Sequence, residues 1–252
     1  MTKGSRTPPE KAAARGTVAK PARSGKGKAK PLSPAEIEEI FSRLARERPD
    51  PRSELEHSNP YTLLVAVVLS AQATDAGVNK ATKALFAAAD TPEAMLELGE
   101  QKVQEHIKTI GLFRMKAKNV IALSRQLVEE HGGEVPADRD ALEKLPGVGR
   151  KTANVVMNVA FGAETLAVDT HIFRVANRTG LAAGKNPLEV ELGLLKIVPS
   201  AYLRNAHHWL ILHGRYVCLA RKPKCPDCVI RDLCRFSDKT PPDQPRTSKD
   251  RT

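Results

Sequence analysis

Two side chains and one cysteine cluster carry most of the chemical information in this 252-residue chain. Lys151 follows Leu145-Pro146-Gly147-Val148-Gly149-Arg150, a glycine-paired turn that runs straight into an apolar helical stretch. A lysine in the first turn of a helix lies against the positive end of the macrodipole, a poor place for a purely structural cation. A nucleophilic amine must be partly neutral, and both the helix N-terminus and neighbouring Arg150 disfavour the ammonium. Such an amine can attack an electrophilic carbon and form a Schiff base. Asp169, in Val168-Asp169-Thr170-His171, supplies a carboxylate that can stabilise developing positive charge or activate a nucleophile. Each residue also has a plainer use. A lysine after Gly-Arg can simply touch a phosphate, and an aspartate ahead of Thr170-His-Ile-Phe can simply cap a helix.

The cluster consists of Cys218, Cys225, Cys228 and Cys234, spaced C-x6-C-x2-C-x5-C, and the chain has no other cysteine. Four thiols this close together read as a metal site sooner than as disulfides. Only Cys225/Cys228 makes the short knuckle usual for structural zinc, so spacing alone leaves zinc and an iron–sulfur cluster both open. Between the first two cysteines, Leu219-Ala-Arg-Lys-Pro-Lys224 carries three cations, Arg221, Lys222 and Lys224. Presented rigidly, they would meet backbone phosphates; the plainer reading is a solvated loop. His213 and Arg215 brace this region or the packing between domains rather than ligating a metal.

These groups must be positioned by helices. Asp140-Ala-Leu-Glu-Lys-Leu145 and Thr152–Phe161 flank the glycine turn and make a helix-hairpin-helix over about 138–161. Gly147 and Gly149 permit positive φ and close approach of a partner, while the exposed N–H groups of the second helix form an anion site suited to a nucleic-acid phosphate. Ser33-Pro34-Ala-Glu36 opens the first helix with cap and proline. Further helices are expected over Pro60–Leu69, Asp75–Ala88, Thr91–Leu98, Glu100–Ile110, Met115–Glu130, Asp138–Leu145, Lys151–Ala160, Thr170–Arg178, Leu188–Ile197 and Ala201–Leu219. No alternating strand pattern stands out, so the fold class is all-α. Aromatic residues make up 4% of the chain, which argues against a base-stacking sheet.

The net charge of +11 is unevenly spread. Residues 1–31 hold nine Lys/Arg against Glu10 alone, a net +8, which leaves +3 for the remaining 221 residues. That stretch reads as a disordered basic tail, either solubilising or DNA-seeking. It has no apolar h-region, so a secretory signal is not expected. Cytoplasmic location at the bacterial nucleoid is expected, with organellar targeting left open by the basic tail. The longest apolar run, Leu63–Leu69, falls far short of the ~20 residues of a membrane span.

Leu-Pro-Gly-Val-Gly-Arg-Lys-Thr-Ala-Asn at 145–154, Val-Asp-Thr-His at 168–171, Leu-Ser-Ala-Gln-Ala-Thr-Asp at 69–75 and the four-cysteine spacing together resemble the endonuclease III family over about residues 32–237. The resemblance implies a bifunctional DNA repair enzyme, an N-glycosylase for oxidised pyrimidines and an abasic-site β-lyase. Lys151 would be the nucleophile, Asp169 its partner, and the cysteines the ligands of a [4Fe-4S] cluster. Ser70, Thr74 and Asp75 would line the lesion pocket. Gln72 would fill the gap opposite the orphan base, Leu112 in Ile110-Gly-Leu-Phe113 would act as an apolar wedge, and Gly147, Gly149, Arg150, Arg221, Lys222 and Lys224 would contact DNA. Judged without the resemblance, Leu112 is an ordinary core leucine; the plainer reading of Gln72 is an N-terminal helix residue bonding its own backbone. Glu143 and His171 are outer candidates.

The implied architecture is two helical domains with a cleft between them: an iron–sulfur domain from 32–52 plus 164–237, and a helical barrel over 53–163. A disordered tail would follow at 238–252. Duplex DNA carrying damaged pyrimidines or abasic sites is the expected partner of a monomer. Two rivals stand beside this reading: an adenine mismatch glycosylase of the same fold, which lacks a lysine at this position, and a non-catalytic helix-hairpin-helix DNA-binding module.

Overall fold

The computed structural model describes residues 30–242. All but the last two residues of the expected basic tail, and the end of the expected C-terminal tail from 243 onward, lie outside the described residues. Ten α-helices and one short 3-10 turn (Cys225–Asp227) make up the regular structure, with no strand among the described residues. The helices are α1 (Pro34–Glu47), α2 (Pro60–Leu69), α3 (Asp75–Ala88), α4 (Pro92–Ile107), α5 (Phe113–His131), α6 (Arg139–Glu143), α7 (Arg150–Phe161), α8 (Thr170–Thr179), α9 (Pro187–Ile197) and α10 (Ser200–Tyr216). None is long and apolar enough to cross a membrane.

Local chemistry sets most of the helix starts. Ser33 opens α1 with a full capping box, its backbone N–H donating to Glu36 Oε2 at 2.7 Å. Side chains likewise cap α2 (Asn59), α3 (Thr74), α4 (Thr91), α6 (Asp138), α8 (Asp169) and α9 (Asn186). Three helices have no side-chain cap: α5, preceded by Leu112, α7, preceded by Gly149, and α10, preceded by Pro199. The two helices expected on either side of Gly99 are both present within α4, separated at Gly99, whose φ 79° and ψ 158° are not helical. The expected helix to Leu219 stops at Tyr216, because the N–H groups of Val217 and Cys218 both return to the His213 carbonyl.

Two hydrophobic cores organise these helices. One gathers α2–α7 around α2, whose residues Tyr61 to Leu69 are all buried. A helix apolar on every face belongs at the centre of a core. The other is built by Leu32 and α1 together with α8, α9, α10 and Ile230. The chain therefore starts in the second core, builds the first, and returns.

The return passes through the segment 162–169, where Leu166 and Val168 face the second core and Ala167 faces the first. This is the two-residue alternation of extended backbone. Buried asparagines of α7 hold the segment in place. Asn154 Nδ2 donates to the Leu166 carbonyl at 3.1 Å, and Asn158 Nδ2 to the Ala163 carbonyl at 2.9 Å.

Two arginines also cross between the cores. Arg150 at the start of α7 grips the nearly buried Glu191 of α9 through two nitrogens, Nε at 3.0 Å and Nη2 at 2.7 Å. Arg215 of α10 reaches Asp75 of α3 at 2.5 Å and also pairs with Glu54.

Candidate active site and metal centre

The glycine turn is built as the sequence suggests, with one difference. Gly147 alone takes the left-handed conformation (φ 80°), and a Cβ there would lie 2.9 Å from Asn119 Nδ2 of α5. Gly149 has φ −105°, open to any residue, and a Cβ on it would meet nothing within 4 Å. Nothing inside the protein therefore demands glycine at 149. It leaves the start of α7 bare, with unpaired N–H groups and no side chain in the way.

Lys151, one residue into α7, is exposed. Arg150 beside it, expected to disfavour the Lys151 ammonium and to contact DNA, has its guanidinium held by Glu191. That bond to Glu191 also holds the arginine above its ordinary range.

Asp169 caps α8. Its Oδ1 accepts from the backbone N–H groups of His171 at 2.9 Å and Ile172 at 2.8 Å. The plainer reading of this residue is thus correct, yet it does not compete with a chemical one. Both bonds use Oδ1, and the residue also lines a cavity together with Lys151. The cavity holds about 340 Å³ and is walled by both cores, the size and placement usual for a small-ligand site. Val67, Val155 and Leu212 give it apolar walls, while Lys151, Asp169 and His171 supply polar groups. Gly214 of α10 lets α8 approach closely, since a Cβ there would lie 2.8 Å from the Cβ of His171.

The expected lesion-pocket residues divide. Ser70 and Asp75 line the cavity, Asp75 in its ion pair with Arg215. Thr74 does not, because its hydroxyl is spent on the Gly77 N–H as the cap of α3. Gln72 and Leu112 lie outside the cavity on the surface, and both take left-handed backbone, φ 55° and 60°. Leu112 is 64% exposed, which corrects the core-leucine reading. Gln72 sits in the turn between α2 and α3, in neither helix. Glu143 pairs with Arg139 and stays outside the cavity, whereas His171 is in its wall.

Sequence reasoning missed His207 and His208 of α10, which also wall the cavity. Burial first, then His208, Lys151 and Arg215, push His207 down to about 3. It is a neutral imidazole at any ordinary pH.

The four cysteines line one small cavity, and none is in a disulfide. Among the described residues, no three His, Cys, Asp or Glu side chains are grouped to hold a single metal ion. Four thiols lining one small cavity are a donor set that an iron–sulfur cluster uses. Burial, then the nearness of Cys234, Cys218 and Cys225, pushes the Cys228 thiol up to about 11. A thiolate at Cys228 therefore needs a strongly positive centre beside it. His213 lies 3.7 Å from Cys228 Sγ, and Arg178 Nη1 lies 3.6 Å from Cys218 Sγ.

Arg178 also donates to the carbonyls of Leu219 and Ala220 at 2.6 and 2.9 Å, fixing the loop that bears the cations. Arg221, Lys222 and Lys224 all point to solvent, and Lys222 is the third non-glycine residue with positive φ (47°). Past Ser237 the chain is still tied down, since Lys239 donates to the Cys234 carbonyl at 2.7 Å.

Comparison with known proteins finds two family matches. Residues 65–200 match the HhH-GPD superfamily base excision DNA repair protein, and residues 218–234 match the iron-sulfur binding domain of endonuclease III. Endonuclease III of Escherichia coli (strain K12) is 61% identical over 201 residues, covering 80% of this chain and 95% of the relative. The Haemophilus influenzae endonuclease III is 59% identical over the same length. A solved structure of a trapped endonuclease III–DNA covalent intermediate aligns with a TM-score of 0.76 at 48% identity, covering 81% of this chain and 96% of that one. A thermostable thymine-DNA glycosylase aligns at 0.69 and 29% identity.

Proposed function

The chain belongs to the endonuclease III family of helix-hairpin-helix base excision DNA repair proteins, and from that membership we propose how its own residues do the work. The reaction is release of an oxidised pyrimidine from duplex DNA followed by β-elimination at the abasic site. One observation carries the assignment of roles: Lys151 and Asp169, from the starts of two helices, line a single cavity of about 340 Å³.

The damaged nucleotide is extruded from the duplex into this cavity, because its C1′ is out of reach inside the stack. Asp169, oriented by two backbone N–H donors, stabilises the positive charge that builds on the sugar as the glycosidic bond stretches. The Lys151 amine bonds to C1′, the base departs with the glycosidic electron pair, and loss of the ring-oxygen bond to C1′ gives a Schiff base. That Schiff base acidifies C2′; loss of its proton expels the 3′ phosphate, and water then frees the lysine. Ser70 and Asp75 lie against the extruded base, with His171, His207 and His208 as further cavity wall.

Outside the cavity, the bare N–H groups at the start of α7 receive a phosphate, with Gly147 shaping the turn and Gly149 leaving room. Gln72 and Leu112 reach into the duplex from strained backbone, as expected where function holds a residue in a sparse conformation. Arg150 serves mainly to clamp α7 to α9. Cys218, Cys225, Cys228 and Cys234 hold a [4Fe-4S] cluster, whose contribution is to cross-link the loop that turns Arg221, Lys222 and Lys224 toward phosphates. The two cores support a division into domains at 53–163 and at 32–52 plus 164–237.

Borohydride trapping on abasic duplex tests the assignment. The unaltered protein gives a covalent adduct, and Lys151→Ala gives none while still binding the duplex. An adduct that persists in Lys151→Ala removes the lysine from its role. Absence of any adduct in the unaltered protein leaves only the DNA-binding module.

A further inference from the structure

Among the described residues, Leu112 and Met115 are the two most exposed of the large apolar side chains, at 64% and 60%. They lie three residues apart across the start of α5, with Lys116 N–H returning to the Leu112 carbonyl at 3.0 Å. Leu112, the left-handed cap residue, and Met115, in the first turn, thus lie at the same end of the helix. Between them Phe113 turns inward against the first core, and Arg114 lies over its ring, 4.7 Å from guanidinium carbon to centroid. Arg114 and Lys118 are exposed. The next turn of α5 carries Asn119, which abuts Gly147 of the glycine turn. The two exposed apolar groups therefore stand beside the proposed phosphate site, on a helix start that no side chain caps. A protein leaves two neighbouring large apolar groups in water at some cost, and a partner normally covers them.

We propose that Met115 is a second wedge residue, which enters the duplex beside Leu112 and packs on the base step next to the extruded nucleotide, while Arg114 holds the flanking phosphate. The inference rests on the assignment of Leu112 to the DNA interface and extends that interface by one helical turn. The occupant is the duplex rather than another protein, because the patch is continuous with the glycine turn and is flanked by two cations and unpaired N–H groups. Thioether chemistry suits the task. Methionine is unbranched and polarizable, so it can follow whichever base lies beside the lesion, and apolar wedges of this kind unstack base steps. The contact is apolar, so it should add affinity without adding to the salt dependence, whereas Arg114 should do both.

The test uses the full chain with its cluster and a duplex holding a tetrahydrofuran abasic analogue, with 2-aminopurine next to it. Met115→Ser should weaken binding about five- to twenty-fold, the effect of losing one buried apolar side chain. It should also lower the 2-aminopurine signal and leave the salt slope unchanged. Met115→Leu should restore both readouts. Arg114→Gln should reduce the slope by about one unit. Leu112→Ser is the reference. If it loses affinity while Met115→Ser stays within two-fold of the unaltered protein, the second wedge is wrong and the proposed function stands. If both variants bind normally, the whole turn leaves the interface. If Met115→Ser instead changes the oligomeric state of the free protein, the patch faces a second copy and the proposal fails.

Discussion

Two helix starts meet at the cavity, and they treat the same electrostatics in opposite ways. The start of α7 is left bare: Gly149 offers no side chain, and its nearest surroundings are open space. The start of α8 is closed by the Asp169 carboxylate, which takes up two N–H groups. Both carry the partial positive charge of an N-terminus. In the proposed roles one keeps it for an anion from outside, while the other holds an internal anion in a fixed direction. A capped helix start can thus be a chemical group held ready, and an uncapped one a vacancy kept for a ligand. Reading caps only as stability devices misses both uses.

The comparison breaks most visibly at Asp169. Asp169→Asn keeps a capping oxygen but loses the charge, so base release should fall about 100- to 1,000-fold while duplex affinity stays within two-fold. Single-turnover excision set beside anisotropy binding decides it. A large loss of affinity with near-normal chemistry would make the residue a cap and nothing more.

Making the bare start resemble its neighbour sharpens the contrast. Gly149→Asp fits the existing φ and open space and would fill the site with a built-in carboxylate. It should stabilise the fold by about 1 kcal/mol and weaken duplex binding about ten-fold, seen as a higher Tm together with poorer affinity. A higher Tm with unchanged affinity would show that no phosphate uses that helix end.

A third effect concerns the cavity wall. His207 titrates in the unfolded chain near 6.5 but in the fold only at about 3, chiefly through burial. Between those values the unfolded state binds the extra proton, so stability falls as the pH drops through that window. Between pH 7 and pH 5 the loss should be roughly 1–2 kcal/mol, and His207→Gln should flatten that part of the pH–stability curve. An equally steep curve for the variant would mean that other groups drive the acid sensitivity.

Much of this was legible because it is local. Caps such as Ser33, Thr91 and Asn186 need only the next three residues, and the all-α class follows from apolar spacing. Lys151, Asp169 and the cysteines stood out by type and spacing, and the cavity lines up the first two while a second one gathers the four thiols. What escaped was non-local. No spacing says that Arg150 finds Glu191 forty-one residues away, or that Arg215 reaches back 140 residues to Asp75. Exposure is equally hidden: Leu112 sits in an apolar run, and only the left-handed turn before α5 carries it outward. Thr74 could not be told from a pocket residue until its hydroxyl was seen on the Gly77 N–H.

The segment 162–169 acts as a gauge block between the proposed nucleophile and its carboxylate. It is pinned to α7 by Asn154 and Asn158 and ends directly in Asp169. Adding or removing one residue there would swap which side chains face which core and rotate the carboxylate away from the amine. Each lobe could still fold on its own interior, yet the two chemical groups would no longer share a chamber, so its length is as much a part of the proposed active site as the residues that react.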